Sequence, residues 1–315
     1  MPPNPQPLTR CSAPGKIILF GEHAVVYGFP ALAAPVTQVQ ATATVMADAR
    51  PGTWIDAPEV GLSSELSRLS PDHPLVTVIQ SVFSALGIDR PPACTVHIES
   101  TIPVASGLGS GAAVSVAVIR ALSSFIERPL SDEQVNSLAF EVERLYHGTP
   151  SGIDNTVITY ARPVFFVKGQ PIEPLRVGWP FTIVIGDSGI PSPTKETVGD
   201  VRRKWEADPQ PVEKIFDQIG VVVHEARQAI EIGNIPALGP LMDENHALLR
   251  EMGVSSAALD RLTEAARKSG ALGAKLSGGG RGGNMIAVVS KEDAPAVADA
   301  LMSAGARRTI ITHVT

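Results

Sequence analysis

Apolar and polar positions repeat along this chain with periods that predict most of its elements. Lys16-Ile17-Ile18-Leu19-Phe20 follows an Ala13-Pro14-Gly15 turn and reads as a short buried strand. Val39, Ala41, Ala43 and Val45 alternate with Gln40, Thr42 and Thr44, the period of a strand with one polar face. Residues 51–70 are irregular, and their Gly and Pro suggest an excursion or flap. Leu75, Ile79, Val82 and Leu86 mark a helix that stops at Gly87. Cys94-Thr95-Val96-His97-Ile98-Glu99 alternates as a strand, and residues 112–125 read as a helix closely packed through Ala and Ser. Ser131-Asp132-Glu133-Gln134 is a capping-box start. Val135, Leu138, Ala139, Val142 and Leu145 would be the buried stripe of that helix, which Gly148 and Pro150 end. Ser151-Gly152-Ile153-Asp154-Asn155 then reads as a tight polar turn.

After Gly169 the pattern changes. Phe181-Thr182-Ile183-Val184-Ile185-Gly186 predicts a buried strand, followed by a loop over 187–195 and three or four helices between 211 and 269. Ala274-Lys275-Leu276 leads into the glycine loop Ser277-Gly278-Gly279-Gly280-Arg281-Gly282-Gly283, and Met285-Ile286-Ala287-Val288-Val289 leaves it. A helix near 294–302 and a strand near 309–314 close the chain. The order strand, helices, strand, strand, helix, strand predicts an α+β second domain. The boundary falls near 174–179, giving domains 1–176 and 177–315.

Composition narrows the classes. At 315 residues, one large or two modest domains are expected, and 44% hydrophobic residues suffice for a core. A net charge of −6 argues against nucleic acid and against a basic membrane patch. Cys11 and Cys94 give neither a disulfide framework nor a metal spacing, which fits a reducing cytoplasm. The opening Met1-Pro2-Pro3-Asn4-Pro5-Gln6-Pro7 reads as a loose tail without the apolar stretch of a signal peptide. No apolar run approaches the ~18 residues that span a bilayer.

The chemistry concentrates at Pro103-Val104-Ala105-Ser106-Gly107-Leu108-Gly109-Ser110-Gly111-Ala112-Ala113, between a predicted strand and a predicted helix. A helix starting near Ser110 would aim free N–H groups and a positive dipole end into the loop, a ready phosphate site. The stretch lacks the Lys-Ser/Thr of a P-loop and the Rossmann context of a dinucleotide fingerprint. The plainer reading is a glycine-rich turn before a buried helix. Glu22 and His23 stand between apolar segments and need polar partners, unless they belong to a surface hairpin. Glu143 flanks its helix stripe. Asp154 is a functional carboxylate or a capping Asp. Together, two glycine loops, a Lys, two acids and a His are the parts that phosphoryl transfer needs.

These segments resemble the mevalonate kinase family of the GHMP kinase superfamily over nearly the full chain. The resemblance rests on Ala13-Pro14-Gly15-Lys16-Ile17-Ile18-Leu19-Phe20-Gly21-Glu22-His23-Ala24-Val25-Val26-Tyr27-Gly28 and the loop 103–113. It continues through Glu143-Arg144-Leu145-Tyr146-His147-Gly148-Thr149-Pro150-Ser151-Gly152-Ile153-Asp154-Asn155 and the loop 275–285. It implies a two-domain fold, an N-terminal ribosomal protein S5 domain 2-like domain and a C-terminal ferredoxin-like one. It implies Asp154 and Lys16 as catalytic residues, 103–113 as the ATP loop, and Glu143 and Ser110 as Mg²⁺ ligands. Glu22, His23, Thr194 and Gly279 fall at substrate-side positions. ATP and mevalonate are the implied partners, with no nucleic acid or membrane. The motifs leave oligomeric state open, and a homodimer is carried as an expectation. Two positions depart from the family pattern. Gly111 replaces a serine that usually serves the metal, and Arg281 interrupts the last glycine loop, either on a phosphate or toward solvent.

Ala24-Val25-Val26 after Gly-Glu-His suits an acceptor with an apolar methyl branch, where galactokinases continue Thr-Asp-Tyr. The primary hydroxyl of mevalonate is therefore the expected acceptor. A mevalonate 3-kinase, a phosphomevalonate kinase and a non-catalytic ligand-binding paralogue are the alternatives.

Overall fold

The computed structural model describes residues 8–103, 106–147 and 150–315. The proline-rich tail, Val104, Ala105, Gly148 and Thr149 lie outside them. The chain forms two compact units. The first takes in Met1–Gly15, Val39–Ile102 and Gly109–Ala161, and the second Lys16–Gln38, Pro103–Leu108 and Arg162–Thr315.

Strands β1 (Leu8–Phe20) and β2 (Ala31–Ala47) contribute residues to both units. The predicted turn at Ala13-Pro14-Gly15 is instead part of the continuous strand β1. Gly15 keeps an ordinary φ, and a proline is tolerated where no neighbour needs its missing N–H.

In the first unit, β3 (Thr53–Ala57) and β4 (Leu62–Glu65) form an antiparallel hairpin, so the predicted flap is ordered sheet. Helix α1 (Pro74–Leu86) ends at Gly87 as its apolar period predicts. β5 (Cys94–Ser100) then runs parallel to β3 and antiparallel to β2. Val45, Val96 and Ile55 lie in one row across three strands, and all three are fully buried. Helices α2 (Ser110–Phe125), α3 (Asp132–His147) and α4 (Ile153–Tyr160) pack on one another, and α2 also rests on β5. Ala112, Ala113, Ser115, Ala117 and Ala121 on α2 are buried, and their small side chains let its neighbours approach.

The capping box of α3 forms: the Ser131 N–H donates to Gln134 Oε1 at 2.9 Å, and the Gln134 N–H to Ser131 Oγ at 3.4 Å. Its stripe ends at Val142, because Leu145, roughly 80° around the helix from Val135, is 65% exposed. The polar turn at 151–155 is in fact the start of α4, with left-handed Gly152 at its N-cap.

In the second unit, β6 (Val164–Phe166) pairs with the start of β2 and with β7 (Glu173–Pro174). The chain continues as β8 (Phe181–Asp187), α5 (Thr194–Ala207), α6 (Pro209–Ile232), α7 (Leu238–Met252) and α8 (Ala257–Lys268). β9 (Gly273–Ser277), β10 (Asn284–Val289), α9 (Ala294–Ser303) and β11 (Arg308–Val314) complete it. The four strands make an antiparallel sheet in the order β11-β8-β10-β9. This is the strand–helices–strand–strand–helix–strand pattern read from the sequence. Helix α5 begins inside the predicted loop. Only Thr197 and Val201 are buried along it, too few apolar positions to show a helical period.

β9 is an edge strand, and edges leave N–H groups unpaired. Helix α7 covers it: Asp243 Oδ1 accepts from the Ala274 N–H at 3.0 Å and His246 Nδ1 from the Leu276 N–H at 3.2 Å. No helix of the described residues is long and apolar enough to cross a membrane.

Candidate active site

The second unit carries the first motif from Lys16 onward and the last motif. After β1 the chain turns at Gly21, with φ 96°. A Cβ there would stand 2.5 Å from the Pro30 carbonyl oxygen, so glycine alone fits. His23 follows at φ 62° and ψ −51°, and across it the Ala24 N–H donates to the Glu22 carbonyl at 2.7 Å. This is the rarer, strained hand of the γ-turn. Strain of that kind costs about 1–3 kcal/mol and persists only where the surroundings enforce it.

The enforcing contacts come from β9 and the last glycine loop. Lys275, with no exposed surface, donates from Nζ to Glu22 Oε1 and to the Leu276 carbonyl at 2.7 Å. The Phe20 ring lies 5.9 Å from the same ammonium. Ser277 Oγ donates to the Ile18 carbonyl at 2.8 Å and accepts from the Ile18 N–H at 3.1 Å, tying β9 to β1. His23 Nε2 lies 3.0 Å from the Gly279 carbonyl. A carbonyl only accepts, so Nε2 carries the hydrogen and Nδ1 keeps a lone pair.

Glu22, His23 and Lys16 are all buried. Burial raises the Glu22 carboxyl, while Lys275 and then Lys16 oppose the rise. Burial likewise lowers the Lys275 ammonium, against the pull of Glu22. Each charge of this pair persists because of the other. Burial also lowers the His23 imidazole to about 4, helped by Arg281 and opposed by the Gly279 carbonyl. At neutral pH His23 is therefore an uncharged acceptor through Nδ1.

Gly279 also meets α5. A Cβ on it would stand 2.6 Å from Thr194 Oγ1, so the exposed Thr194 at the start of α5 comes beside the loop only because the residue is glycine. Arg281 makes an ion pair with Asp200 of α5, and its N–H donates to the Val254 carbonyl at 2.8 Å. Asp200 is thus the partner of the guanidinium for which the sequence offered a phosphate or solvent.

The first part of the long glycine loop belongs to the same unit. The Lys16 N–H donates to the Leu108 carbonyl at 3.0 Å, and Ser106 Oγ to the Pro103 carbonyl at 2.8 Å. Asn284, 1% exposed, donates from Nδ2 to the Ser106 carbonyl at 2.6 Å, beside Gly107. Val104 and Ala105 lie outside the described residues.

The first unit holds the rest of that loop. Gly109 is the left-handed N-cap of α2, and no side chain caps the helix. Ser110 and Gly111 open its first turn, while Ala112 and Ala113 are buried. A Cβ on Gly111 would lie 3.5 Å from Glu143 Oε1, an ordinary contact. The Glu143 carboxylate thus stands over the positive end of α2, where a Cβ at 111 would meet it in ordinary contact. Asp154 lies in the first turn of α4 and is half-buried. The N-cap there is Gly152, so Asp154 is not the cap. Asn155 steadies α4 by donating to Asn136 Oδ1 at 2.7 Å.

Lys16, Glu22, His23, Thr194 and Gly279 are thus gathered in one unit, and Ser110, Gly111, Glu143 and Asp154 in the other. The sequence assigned no role to Lys275, Ser277 or Asn284. A lone lysine inside the apolar run Ala274-Lys275-Leu276 was the available signal, since a buried cation needs a buried partner. No cluster of three or more His, Cys, Asp or Glu suited to a metal occurs among the described residues.

Comparison with known proteins fits this architecture. The pattern of the GHMP kinases N terminal domain matches residues 74–162, and that of the GHMP kinases C terminal matches residues 226–307. The mevalonate kinase of Thermococcus gammatolerans is 38% identical over 93% of this chain and 92% of its own. That of Archaeoglobus fulgidus is 35% identical over 89% and 92%. The crystal structure of L. major mevalonate kinase in complex with R-mevalonate superposes with a TM-score of 0.86 at 30% identity, covering 100% of this chain and 98% of that one. The chain belongs to the GHMP kinase family, and its full-length relatives put it among the mevalonate kinases. It has the two-domain α+β fold of that family and is an ATP-dependent small-molecule kinase.

Proposed function

We propose that the protein transfers the γ-phosphoryl group of ATP to the primary 5-hydroxyl of mevalonate, giving 5-phosphomevalonate and ADP. The observation that carries this reading is the Gly21-Glu22-His23 turn. It buries a carboxylate and a neutral imidazole beside Lys16, then continues into the buried apolar Ala24 and Val25. Such a wall suits a small polyol acid with a methyl branch better than a sugar.

In this reading Asp154 takes the proton of the primary hydroxyl. The alcohol oxygen forms a bond to the γ-phosphorus, and the bond from that phosphorus to the bridging oxygen of ADP breaks. Lys16 offsets negative charge that develops in the transfer, and His23 Nδ1 accepts a hydrogen bond from the acceptor. Thr194 and Gly279 shape the acceptor side, and 103–113 holds the phosphates with backbone N–H groups. The donors at the α2 terminus suit Mg²⁺, a hard cation that takes one or two protein oxygens and completes its shell from nucleotide phosphates. Glu143 and Ser110 would hold it, and when bound it neutralises charge on the β- and γ-phosphate oxygens. The domain boundary at 176/177 belongs to the same reading, since the two family patterns fall on either side of it. So do a cytoplasmic location and a homodimer, which light scattering of the purified protein checks.

The deciding experiment is phosphorus NMR of the product made from mevalonate and MgATP. A primary phosphate ester at C5 is expected. A tertiary 3-phosphate, or turnover only with an already phosphorylated acceptor, would overturn the reading.

A further inference from the structure

We propose that Lys275 is a positioning residue for the acceptor side of the reaction: it holds the Glu22 carboxylate charged and fixed, and through it the strained His23 turn. The proposal rests on the reading that the Glu22-His23 segment receives the acceptor alcohol.

Three observations carry it. The first is geometric. Lys275 lies in the middle of an apolar edge strand, wholly buried, and its ammonium is committed to Glu22 Oε1 and the Leu276 carbonyl. A lysine in a sheet interior is costly unless its charge is matched. Here the match is a residue 253 positions away in sequence, so the pair fixes the first motif on the last.

The second is the state of Glu22. Its Oε1 is taken by Lys275, while its Oε2 is buried and has no hydrogen-bond partner among the described residues. A carboxylate that is half-satisfied and out of water takes up a proton easily. The cations facing it are Lys275 from β9 and Lys16 from β1. Lys275 makes the direct contact and has the larger effect, so it is the chief support of the charged form of Glu22.

The third is backbone strain. His23 occupies a positive-φ γ-turn between Glu22 and Ala24. Its ring is held on one side by the Gly279 carbonyl, and its preceding residue on the other by Lys275. Both restraints come from β9 and the loop that leaves it. With the ammonium gone, one of the two is lost, and the imidazole that presents Nδ1 is free to relax toward an unstrained turn.

The test uses the full-length protein, with mevalonate and ATP varied separately from pH 6 to pH 9. With the Lys275 ammonium in place, Glu22 is expected to add no pH dependence to kcat/KM for the acceptor. In Lys275→Met, Glu22 keeps only Lys16 as a facing cation, so its carboxyl should take up a proton more readily than in the wild type. Then kcat/KM for mevalonate should be depressed at low pH and climb as Glu22 ionises, by at most about tenfold per pH unit at the steepest point. The KM for ATP should change little. In the double variant Glu22→Gln/Lys275→Met this climb should vanish, thermal stability should recover relative to Lys275→Met, and the mevalonate KM should remain high.

A Lys275→Met enzyme that is less stable but follows the wild-type pH profile would overturn the proposal. If that variant fails to fold, the double variant decides: recovery of the wild-type mevalonate KM together with stability would reduce the pair to a structural contact. Absence of mevalonate turnover in the wild type would instead refute the functional reading. It would leave the Glu22–Lys275 coupling to be read from the melting temperatures of the same three proteins.

Discussion

At the scale of single residues, the carboxylates differ in what their surroundings ask of them. Asp48 is held well below the usual carboxylate range by Arg50 and Thr95, an exposed arrangement with no bearing on the site. Asp154 lies in a helical first turn whose N-cap is already supplied by Gly152, so capping does not explain it. Replacing it tests the proposed base. Asp154→Asn keeps the shape and one hydrogen-bonding oxygen but cannot accept the hydroxyl proton at neutral pH. Turnover should fall about 10²–10⁴-fold, the range for loss of a general base, with ATP affinity retained. Lys16→Met should also slow turnover, and the double variant should lose less than the product of the two, since both act on one transfer. Turnover and melting temperature measured on one Asp154→Asn preparation separate the roles. An active but less stable enzyme would remove Asp154 from the chemistry.

At the scale of elements, what was legible in the sequence was what repeats. Helix α1 and its Gly87 stop, the Ser131–Gln134 capping box and the alternation of β5 each signal their element locally, and each forms. Elements held by tertiary contact were not legible. α5 is mostly charged and buries only two side chains, and α4 hides behind a run that reads equally well as a turn. The same division holds for the candidate site. Motif residues such as Glu22, His23 and Glu143 could be picked out by their place beside apolar segments and by the family resemblance. Their partners could not, because Lys275 and Asn284 act across more than a hundred residues.

Asn284 gives an element-scale prediction. Its amide is the buried tie between the start of β10 and the Ser106 carbonyl in the long glycine loop. Asn284→Ala should leave that carbonyl unsatisfied and loosen the loop, raising the KM for ATP several-fold while the KM for mevalonate stays near its wild-type value. Asn284→Asp should be worse, because an acceptor would then face the carbonyl oxygen. Equal changes in both KM values would mean that the tie supports the fold as a whole.

At the scale of the whole molecule, two buried histidines link stability to pH. His23 is lowered from the ordinary 6.5 to about 4 by burial. His246 is lowered too, by burial first, with Arg267 and Lys275 adding and Asp260 opposing. The structure gives His246 a further reason to stay neutral. Its Nδ1 accepts the Leu276 N–H of the sheet edge, and Nε2 faces Asp260 at 3.2 Å, which Arg250 also holds. A proton on Nδ1 would set donor against donor and uncap β9. Between about pH 6.5 and pH 4 the unfolded chain binds these protons and the folded one does not, so stability falls as pH falls. The contribution is complete above about 6.5. For His23 it is on the order of 3 kcal/mol at full extent, at about 1.4 kcal/mol per pKa unit. Glu22 works against it, because its carboxyl is raised and gains a proton in the folded state first. The melting temperature should therefore drop by several degrees from pH 7 to pH 5. His246→Asn places an amide oxygen near Nδ1 and does not titrate. It should keep the edge capped and drop less steeply over the same interval. A slope equal to that of the wild type would show that His246 does not carry the acid sensitivity, and would leave His23 and the carboxylates to account for it.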